Sequence, residues 1–308
     1  MKKILCITPV KHLAGVYDSF KSFGVPIYKP NIDKISLKKI LLELEIEYIF
    51  TNPNKQGYLL DKDVLEGSSV KVINTCSTGT NHLDKDYCLK NNIEIWSLTK
   101  DMNLINELPS TSELAFGLMC SLFRKINPGF ESVKNGDWNY EPFIGKQMKD
   151  SSVGIIGFGR LGKMMNNFCK AFGMKTYIYD PYLGYNNLSE LLTFSDAISL
   201  HVHVNDETRG MIDKKFLENM KKGSYLINTS RGELVDELSI IKSIKTGHLY
   251  GYGTDVIKDE FGDRSKSDLV EFSKNNSNVI ITPHVGGMTW EGQTKAYKWA
   301  ISKFKNII

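Results

Sequence analysis

The chain has 308 residues, of which 41% are hydrophobic and 24% charged, a composition typical of folded globular proteins. The net charge of +4 comes from 39 basic and 35 acidic residues, and this balance argues against a nucleic-acid partner. The five cysteines form no CxxC pair, and no apolar run is long enough to cross a membrane. We therefore predict a cytoplasmic protein with reduced thiols, no membrane association and no metal site.

The first hundred residues alternate short apolar runs with helical patterns. Strand-like runs occur at Ile4–Thr8, Tyr48–Asn52, Val70–Cys76 and Ile93–Leu98. Helical patterns occur between or after them at Tyr17–Phe23, Leu37–Leu44, Lys62–Glu66 and Leu83–Lys90. This alternation predicts a parallel sheet that is covered by helices on both faces.

A longer helical pattern follows the first alternation. Ser110 and Glu113 have the spacing of an N-terminal capping box. Apolar residues then recur at helical spacing, at Leu114, Leu118, Leu122 and Ile126. We predict that this helix leaves the first domain and begins the second, and that residues 135–150 form a loop.

A second alternation begins at Ser152. Its strand-like runs are Val153–Ile156, Thr176–Tyr179, Ala197–Val202, Tyr225–Thr229, Gly251–Val256 and Val279–Ile281. Six strands in this arrangement are what a dinucleotide-binding fold needs. A final amphipathic helix, Trp290–Ile308, is predicted to pack back on the first domain. The sequence thus predicts an α/β protein with two doubly wound parallel sheets, one in residues 1–104 with 288–308 and one in residues 105–287.

A GxGxxG motif follows the first strand of the second domain. Gly157 permits a tight turn, Gly159 lets the backbone approach a pyrophosphate, and Gly162 lets the next helix lie close to the strand. That helix is predicted from Lys163 to Cys169, with Gly173 at its C-terminal cap. A glycine turn without a ligand is the alternative, but the strand and helix around the motif favour a dinucleotide site.

An acidic residue stands where this fold usually binds a ribose. Asp180 follows Gly162 by eighteen residues and ends the next predicted strand. A carboxylate there accepts hydrogen bonds from the adenosine ribose and repels a 2′-phosphate. We therefore predict NAD as the cofactor in preference to NADP.

Ionisable side chains follow three later strands of the predicted sheet. Arg231 comes directly after the fourth strand, Asp255 and Glu260 lie at the end of the fifth, and His284 follows the sixth. Ligands of α/β proteins bind at the carboxyl ends of the strands. Arginine grips carboxylates with two parallel hydrogen bonds, and histidine is the usual acid–base group near neutral pH. Any one of these residues alone is as readily explained by a structural role.

Taken together, the motifs resemble the D-isomer-specific 2-hydroxyacid dehydrogenase family, which includes phosphoglycerate, glycerate and D-lactate dehydrogenases. The matching segments are Thr75–Asp84, the GxGxxG loop, Asp180, Asn228–Asp236, Asp255–Glu260 and Pro283–Gly287. The resemblance implies a flavodoxin-like substrate domain joined to a Rossmann NAD-binding domain. It also implies a homodimer, with Ser110–Ile126 as the dimer helix, and hydride transfer between NAD and C2 of a small D-2-hydroxy acid or 2-keto acid of the phosphoglycerate or glycerate/glyoxylate type.

The resemblance also implies roles for individual residues. The implied catalytic residues are Arg231, Glu260 and His284. The implied cofactor-binding residues are Gly157, Gly159, Arg160, Leu161, Gly162, Asp180, Thr229, Ser230, Asp255, Gly286 and Gly287, with Asp255 near the nicotinamide amide. The implied substrate-binding residues are Thr78, Gly79, Arg231 and His284.

The chain departs from the family pattern at three places. Phe261 stands where the family usually has a proline after the catalytic acid, so the loop is expected to differ while the acid is kept. His203 replaces a proline, and it either lines the adenosine side of the pocket or is a strand histidine without a ligand role. Lys55 lies where phosphoglycerate dehydrogenases tend to carry an arginine, and we interpret it as a solvated charge.

Two other functions are compatible with this fold. A formate or phosphite dehydrogenase shares it, although formate dehydrogenases pair the catalytic histidine with glutamine, whereas this chain has Glu260. A non-catalytic NAD(H) sensor or corepressor is the second alternative, since a fold alone does not specify an activity. The complete set of Arg231, Glu260 and His284 argues against a sensor, because binding NAD(H) does not require all three.

Overall fold

A computed structural model describes residues 2–53, 57–260 and 266–307 of the chain. The chain divides into two units, Met1–Leu108 with Gly287–Ile308, and Pro109–Gly286. These divisions lie within a few residues of the boundaries expected after residues 104 and 287. The second unit is one continuous segment, whereas the first is completed by the C-terminal residues.

The described strands are β1 Lys3–Cys6, β2 Val25–Tyr28, β3 Tyr48–Thr51, β4 Val72–Thr75, β5 Glu94–Trp96, β6 Ser152–Ile156, β7 Lys175–Tyr179, β8 Ala197–Leu200, β9 Ser224–Asn228, β10 Leu249–Thr254 and β11 Val279–Ile281. The described α-helices are α1 Val16–Ser19, α2 Lys34–Glu43, α3 Lys62–Leu65, α4 Lys85–Lys90, α5 Met102–Ile105, α6 Ser110–Phe123, α7 Ile126–Lys134, α8 Arg160–Ala171, α9 Leu188–Phe194, α10 Lys214–Asn219, α11 Glu237–Lys245, α12 Asp268–Ser273 and α13 Trp290–Ser302.

The first unit contains a parallel sheet with the strand order β2-β1-β3-β4-β5. This is the flavodoxin-like order that the resemblance implied. The sequence pattern predicted four of the five strands and missed β2, because Pro26 interrupts a short and partly exposed apolar run. Proline is tolerated there because β2 is an edge strand, where one row of backbone N–H groups needs no partner.

The C-terminal helix completes the core of the first unit. Ala300 and Ile301 of α13 are fully buried, and so is Phe304 just beyond it. They pack in a cluster with Phe20 and Phe50. The prediction that the last helix packs back on the first domain is therefore confirmed. The predicted extension of that helix to residue 308 is wrong, because α13 ends at Ser302 and a 3-10 turn follows.

The second unit contains a six-stranded parallel sheet with the order β11-β10-β9-β8-β6-β7. Every residue of β6, β8 and β9 is buried, as expected for strands covered by helices on both faces. The chain runs outward from β6 in both directions, to β7 on one side and β8 on the other. This reversal is the topological switch point at which doubly wound sheets bind their ligands.

The helix that opens the second unit differs from its prediction. Pro109 occupies the N-cap position of α6, with no side-chain capping bond, so Ser110 and Glu113 do not form the expected capping box. The helix ends at Phe123 and not at Ile126, because the chain turns through a left-handed residue, Lys125, with φ +50°. A separate helix, α7, begins there, and the predicted loop contains a 3-10 turn at Glu141–Phe143.

No α-helix in the described ranges is both long and apolar enough to span a membrane. Within the same ranges, no group of three or more His, Cys, Asp or Glu side chains is arranged to hold a metal ion. All five cysteines fall in the described residues, and all five are free thiols. Burial raises the pKa of several of these thiols, including Cys6 and Cys169, each to about 12.

Candidate active site

The three glycines of the GxGxxG loop differ in their surroundings. Gly157 has φ +88°, and a Cβ there would lie 2.5 Å from the carbonyl oxygen of His201. A Cβ on Gly162 would overlap the carbonyl oxygen of Gly157. A Cβ on Gly159 would meet nothing within 4 Å. The loop is therefore tightly packed against the protein at two glycines and open at the third.

The helix after this loop begins three residues earlier than predicted. Its first residue is Arg160, and its N-cap Gly159 has no side chain to satisfy the first backbone N–H groups. The first backbone N–H groups of an α-helix lie at the positive end of its dipole, an environment that favours an anion. Burial lowers the pKa of the Arg160 guanidinium. Gly173, with φ +72°, lies just past the helix end, as predicted.

Asp180 ends β7 beside the glycine loop. Its Oδ2 accepts a hydrogen bond of 2.8 Å from the backbone N–H of Phe158. Since β7 is the neighbour of β6, the carboxylate lies at the switch-point edge of the sheet. The fold therefore brings the predicted ribose ligand and the predicted phosphate loop together.

His284 and Glu260 form a hydrogen-bonded pair at the same edge of the sheet. The ring Nδ1 of His284 lies 2.8 Å from Oε2 of Glu260, and the side chains are 25% and 15% exposed. His284 follows β11, and Glu260 lies in the loop after β10, the adjacent strand. In the tautomer that donates Nδ1–H to Glu260, the acid–base chemistry of the ring falls to Nε2.

Arg231 follows β9, the next strand in the sheet. Buried Asn228 at the end of that strand donates from Nδ2 to the Arg231 carbonyl oxygen at 2.8 Å, and accepts from the Ser230 N–H at 3.0 Å. Arg231 Nη1 donates to the carbonyl oxygen of Ser230 at 2.6 Å. A Cβ on Gly232 would overlap the backbone of Ile257, so the Arg231 segment packs directly against the loop that leads to Glu260. Sequence reasoning gave Asn228 no role, although a buried asparagine at a strand end is a signal for one.

Asp255 directly follows β10, and it is 1% exposed. Burial raises the pKa of its carboxyl, and three hydrogen bonds oppose this effect. The donors are the Thr282 hydroxyl at 2.5 Å and the backbone N–H groups of Val285 at 2.8 Å and Gly286 at 2.7 Å. Thr282 was not among the predicted site residues, because a single threonine next to a proline has no distinctive sequence pattern.

The remaining predicted cofactor residues follow strands of the second unit, except Gly287, which comes directly after the last residue of that unit. Thr229 is buried, and its hydroxyl has no hydrogen-bond partner among the described residues. The Ser230 hydroxyl donates to the Leu200 carbonyl oxygen at 2.7 Å. The backbone N–H of Gly286 is bound by Asp255, and a Cβ on Gly287 would meet nothing within 4 Å.

The predicted substrate residues Thr78 and Gly79 lie in the loop after β4 of the first unit. The Thr78 carbonyl oxygen accepts a bond from the Thr99 hydroxyl at 3.0 Å, and the Gly79 carbonyl oxygen accepts one from Ser77 at 2.7 Å. His203 is exposed. The predictions for Lys55 and Phe261 concern positions outside the described residues.

Comparison with protein-family models places the chain in a known family. Residues 116–286 match the model described as "D-isomer specific 2-hydroxyacid dehydrogenase, NAD binding domain". The matched segment contains the glycine loop, Asp180, Arg231, Glu260 and His284.

Curated proteins and solved structures give similar results. The chain is 30% identical over 274 residues to a hydroxypyruvate reductase of Thermotoga maritima, covering 86% of this chain and 85% of that protein. It is 30% identical to a D-3-phosphoglycerate dehydrogenase of Synechocystis sp., covering 95% of this chain but 53% of the relative. The structure of a D-lactate dehydrogenase from Aquifex aeolicus, complexed with NAD and lactic acid, superposes with a TM-score of 0.79 at 27% identity, covering 99% of this chain and 95% of that one.

Proposed function

The chain belongs to the D-isomer specific 2-hydroxyacid dehydrogenase family, and we propose that it reduces a small 2-keto acid, or oxidises the matching D-2-hydroxy acid, through His284, Glu260 and Arg231. It is an NAD-dependent oxidoreductase. The observation that carries the proposed site is the contact of 2.8 Å between His284 and Glu260 at the carboxyl edge of the sheet.

The described residues fit a dinucleotide. The space around Gly159, the uncapped start of α8 and the carboxylate of Asp180 suit a pyrophosphate and a ribose. The Thr229 hydroxyl, which has no hydrogen-bond partner in the part of the chain that the structure describes, is a further polar group at the same edge. Bound NAD(H) supplies the hydride chemistry, and the protein supplies orientation and charge.

The proposed roles follow from what each side chain presents. The Arg231 guanidinium holds the substrate carboxylate and stabilises negative charge on the substrate oxygen. In reduction, Nε2 of His284 gives a proton to the keto oxygen, and in oxidation it takes the hydroxyl proton. Glu260 orients the ring through Nδ1 and stabilises its protonated form. Thr78 and Gly79 keep the role of substrate-carboxylate ligands, a proposal that rests on the resemblance.

We favour a substrate without a phosphate group. Residues 1–108 and 287–308 contain no arginine, the residue best suited to grip a phosphate with paired hydrogen bonds. A hydroxypyruvate reductase is also among the relatives that the chain matches at 30% identity. Glyoxylate and hydroxypyruvate are therefore the proposed substrates, and phosphohydroxypyruvate is the second candidate.

The test is NADH oxidation with a panel of glyoxylate, hydroxypyruvate, pyruvate, 2-oxoglutarate and phosphohydroxypyruvate. We expect turnover that is fastest with glyoxylate or hydroxypyruvate and that falls at least about a hundredfold in His284→Asn. Tight NADH binding without turnover of any compound would contradict the proposal and support a sensor. Preference for phosphohydroxypyruvate would contradict only the choice of substrate.

We also propose a homodimer, with the interface on α7 and the segment after it. The predicted dimer helix, α6, buries seven residues within its own unit. By contrast, α7 has no buried residue, and its apolar side chains Ile126, Phe130 and Val133 are all exposed. Exposed apolar surface of this kind is typical of an interface. Light scattering is expected to give a dimer mass for the wild type and a monomer mass for Phe130→Asp, whereas a wild-type monomer would contradict the proposal.

A cytoplasmic location remains part of the proposal, since the thiols are free and unpaired.

A further inference from the structure

The backbone of His284 has an uncommon conformation. Its φ is +55°, in the left-handed region that residues other than glycine rarely occupy. The backbone N–H of His284 lies 3.0 Å from the carbonyl oxygen of Asp255 and 2.9 Å from that of Thr282. A strained conformation persists only where the surroundings hold it, so a neighbouring group must restrain this segment.

The carboxylate of Asp255 provides that restraint from both sides of His284. On the N-terminal side, Thr282 donates its hydroxyl to Oδ1 at 2.5 Å. On the C-terminal side, Val285 donates its N–H to Oδ1 at 2.8 Å, and Gly286 donates its N–H to Oδ2 at 2.7 Å. The residues from Thr282 to Gly286, which we call the histidine turn, are thus wrapped around one carboxylate. The imidazole of His284 projects from the middle of this turn to Glu260.

The packing around the turn leaves it little freedom to shift. A Cβ on Gly286 would lie 3.0 Å from Oδ2 of Asp255 and 3.2 Å from Cγ2 of Thr111 on α6. Asp255 is nearly inaccessible to solvent, and hydrogen bonds to a buried carboxylate are among the stronger ones in proteins. Both oxygens of the carboxylate are therefore engaged by the protein itself.

We propose that Asp255 and Thr282 are positioning residues, which hold the histidine turn in its left-handed form so that the ring of His284 meets Glu260 through Nδ1. The inference rests on the proposed acid–base role of His284. It gives Asp255 a different main task from the nicotinamide contact that the resemblance implied, and it gives a task to Thr282, which had none.

The first experiment uses a matched pair of variants at residue 282. Thr282→Val keeps the shape of the side chain but removes the hydroxyl, whereas Thr282→Ser keeps the hydroxyl. We expect the valine variant to lose about tenfold in kcat, with its Kd for NADH unchanged within about twofold, because a displaced acid–base group slows chemistry and not cofactor binding. The serine variant is expected to stay within about twofold of the wild type in kcat.

The second experiment separates positioning from cofactor contact. In Asp255→Asn, the amide group would place a donor against a backbone N–H of the turn, and we expect kcat to fall by about a hundredfold, with NADH affinity nearly unchanged. A variant that binds NADH weakly but has normal kcat at saturating NADH would overturn the inference. Normal kcat in Thr282→Val would overturn it as well.

A readout that does not depend on turnover completes the test. The imidazole resonances of His284, observed by NMR in the wild type and in Thr282→Val and Thr282→Ser, are expected to shift in the valine variant only. Equal thermal midpoints for the three proteins would exclude general unfolding as the cause. If the wild type turns over no 2-keto acid, the proposed function fails, and the NMR comparison still tests the inference. If the wild type is active and Thr282→Val has a normal kcat and unshifted imidazole resonances, only the inference fails.

Discussion

Arg231 is held at the sheet edge by its own strand end. Its carbonyl oxygen accepts from Asn228, and one guanidinium nitrogen donates to the carbonyl oxygen of Ser230. The guanidinium group carries five N–H donors in a planar fork, the geometry that binds a carboxylate through paired hydrogen bonds.

Arg231→Ala should remove this fork without affecting the glycine loop. We expect kcat/KM for the 2-keto acid to fall by about a hundredfold or more, while the Kd for NADH stays within about twofold. Arg231→Lys, which keeps the charge but not the paired geometry, should recover only part of the rate. Loss of NADH affinity with an unchanged rate would show that the role assigned to Arg231 is wrong.

Asp180 makes one observed contact and has one expected role, and a pair of substitutions can separate them. Its Oδ2 accepts from the Phe158 N–H, which ties β7 to the glycine loop, and its charge is expected to repel a 2′-phosphate. We expect Asp180→Asn, which retains an acceptor oxygen, to lower the preference for NADH over NADPH about tenfold, the effect of about 1.4 kcal/mol. Asp180→Ala should relax the preference and also weaken binding of both cofactors. An unchanged ratio in both variants would refute the assignment.

Within the glycine loop, two alanine substitutions separate a packing role from a ligand-binding role. In Gly162→Ala, the new methyl group overlaps the carbonyl oxygen of Gly157, so we expect a loss of about 1–3 kcal/mol in the free energy of unfolding. In Gly159→Ala, the methyl group meets no protein atom within 4 Å, so stability should change by no more than about 1 kcal/mol.

NADH affinity gives the complementary readout for the two alanine variants. The Gly159 methyl group would lie where the pyrophosphate is expected to approach the backbone, so we expect NADH binding by Gly159→Ala to be strongly weakened although the protein is folded. Urea denaturation and fluorescence titration measure the two effects. Normal NADH affinity in Gly159→Ala would place the pyrophosphate elsewhere.

The start of β8 carries a buried carboxylate that links several elements at the opposite edge of the sheet. Asp196 accepts from Lys221 at 2.8 Å, from Lys146 at 3.0 Å and from the Ser152 N–H at 2.9 Å. Burial alone would raise the pKa of this carboxyl, but the two lysines and the backbone N–H outweigh burial and lower the pKa to about 2.

This shift has a definite sign in a stability profile. Because the pKa in the folded state lies below the unfolded value, the ionised carboxylate stabilises the fold above about pH 4 by about 2 kcal/mol, and this contribution is lost as the pH falls toward 2. We expect the stability difference between the wild type and Asp196→Asn to be largest near pH 7 and to shrink by about half at pH 3. Urea denaturation at several pH values measures it, and a difference independent of pH would contradict the explanation.

At the scale of the whole molecule, the two units differ in continuity. Pro109–Gly286 is one segment with its own buried clusters on both faces of its sheet. The first unit needs α13 from the far end of the chain. We expect a fragment of residues 109–286 to fold and bind NADH but to reduce no 2-keto acid, because Thr78 and Gly79 are absent from it. A fragment that is unfolded by circular dichroism would contradict this expectation.

Local sequence patterns predicted most of the strands. Ten of the eleven described strands coincide with apolar runs, because a buried parallel strand requires a continuous apolar segment. The exception, β2, is a partly exposed edge strand with a proline. The end of α6 was predicted too late. The apolar spacing continues past Lys125, although the left-handed backbone at that residue ends the helix direction.

The sequence by itself determined which residues follow which strands, and hence that Gly157, Asp180, Arg231 and His284 would meet at one edge of a sheet. That follows from chain order, since parallel strands all end on the same side. Only the tertiary structure decided that Glu260 lies 2.8 Å from His284, and that Asp255 binds both sides of the histidine turn. Those contacts join residues 24 to 31 positions apart, and they depend on how two loops pack above neighbouring strands, for which no local periodicity exists.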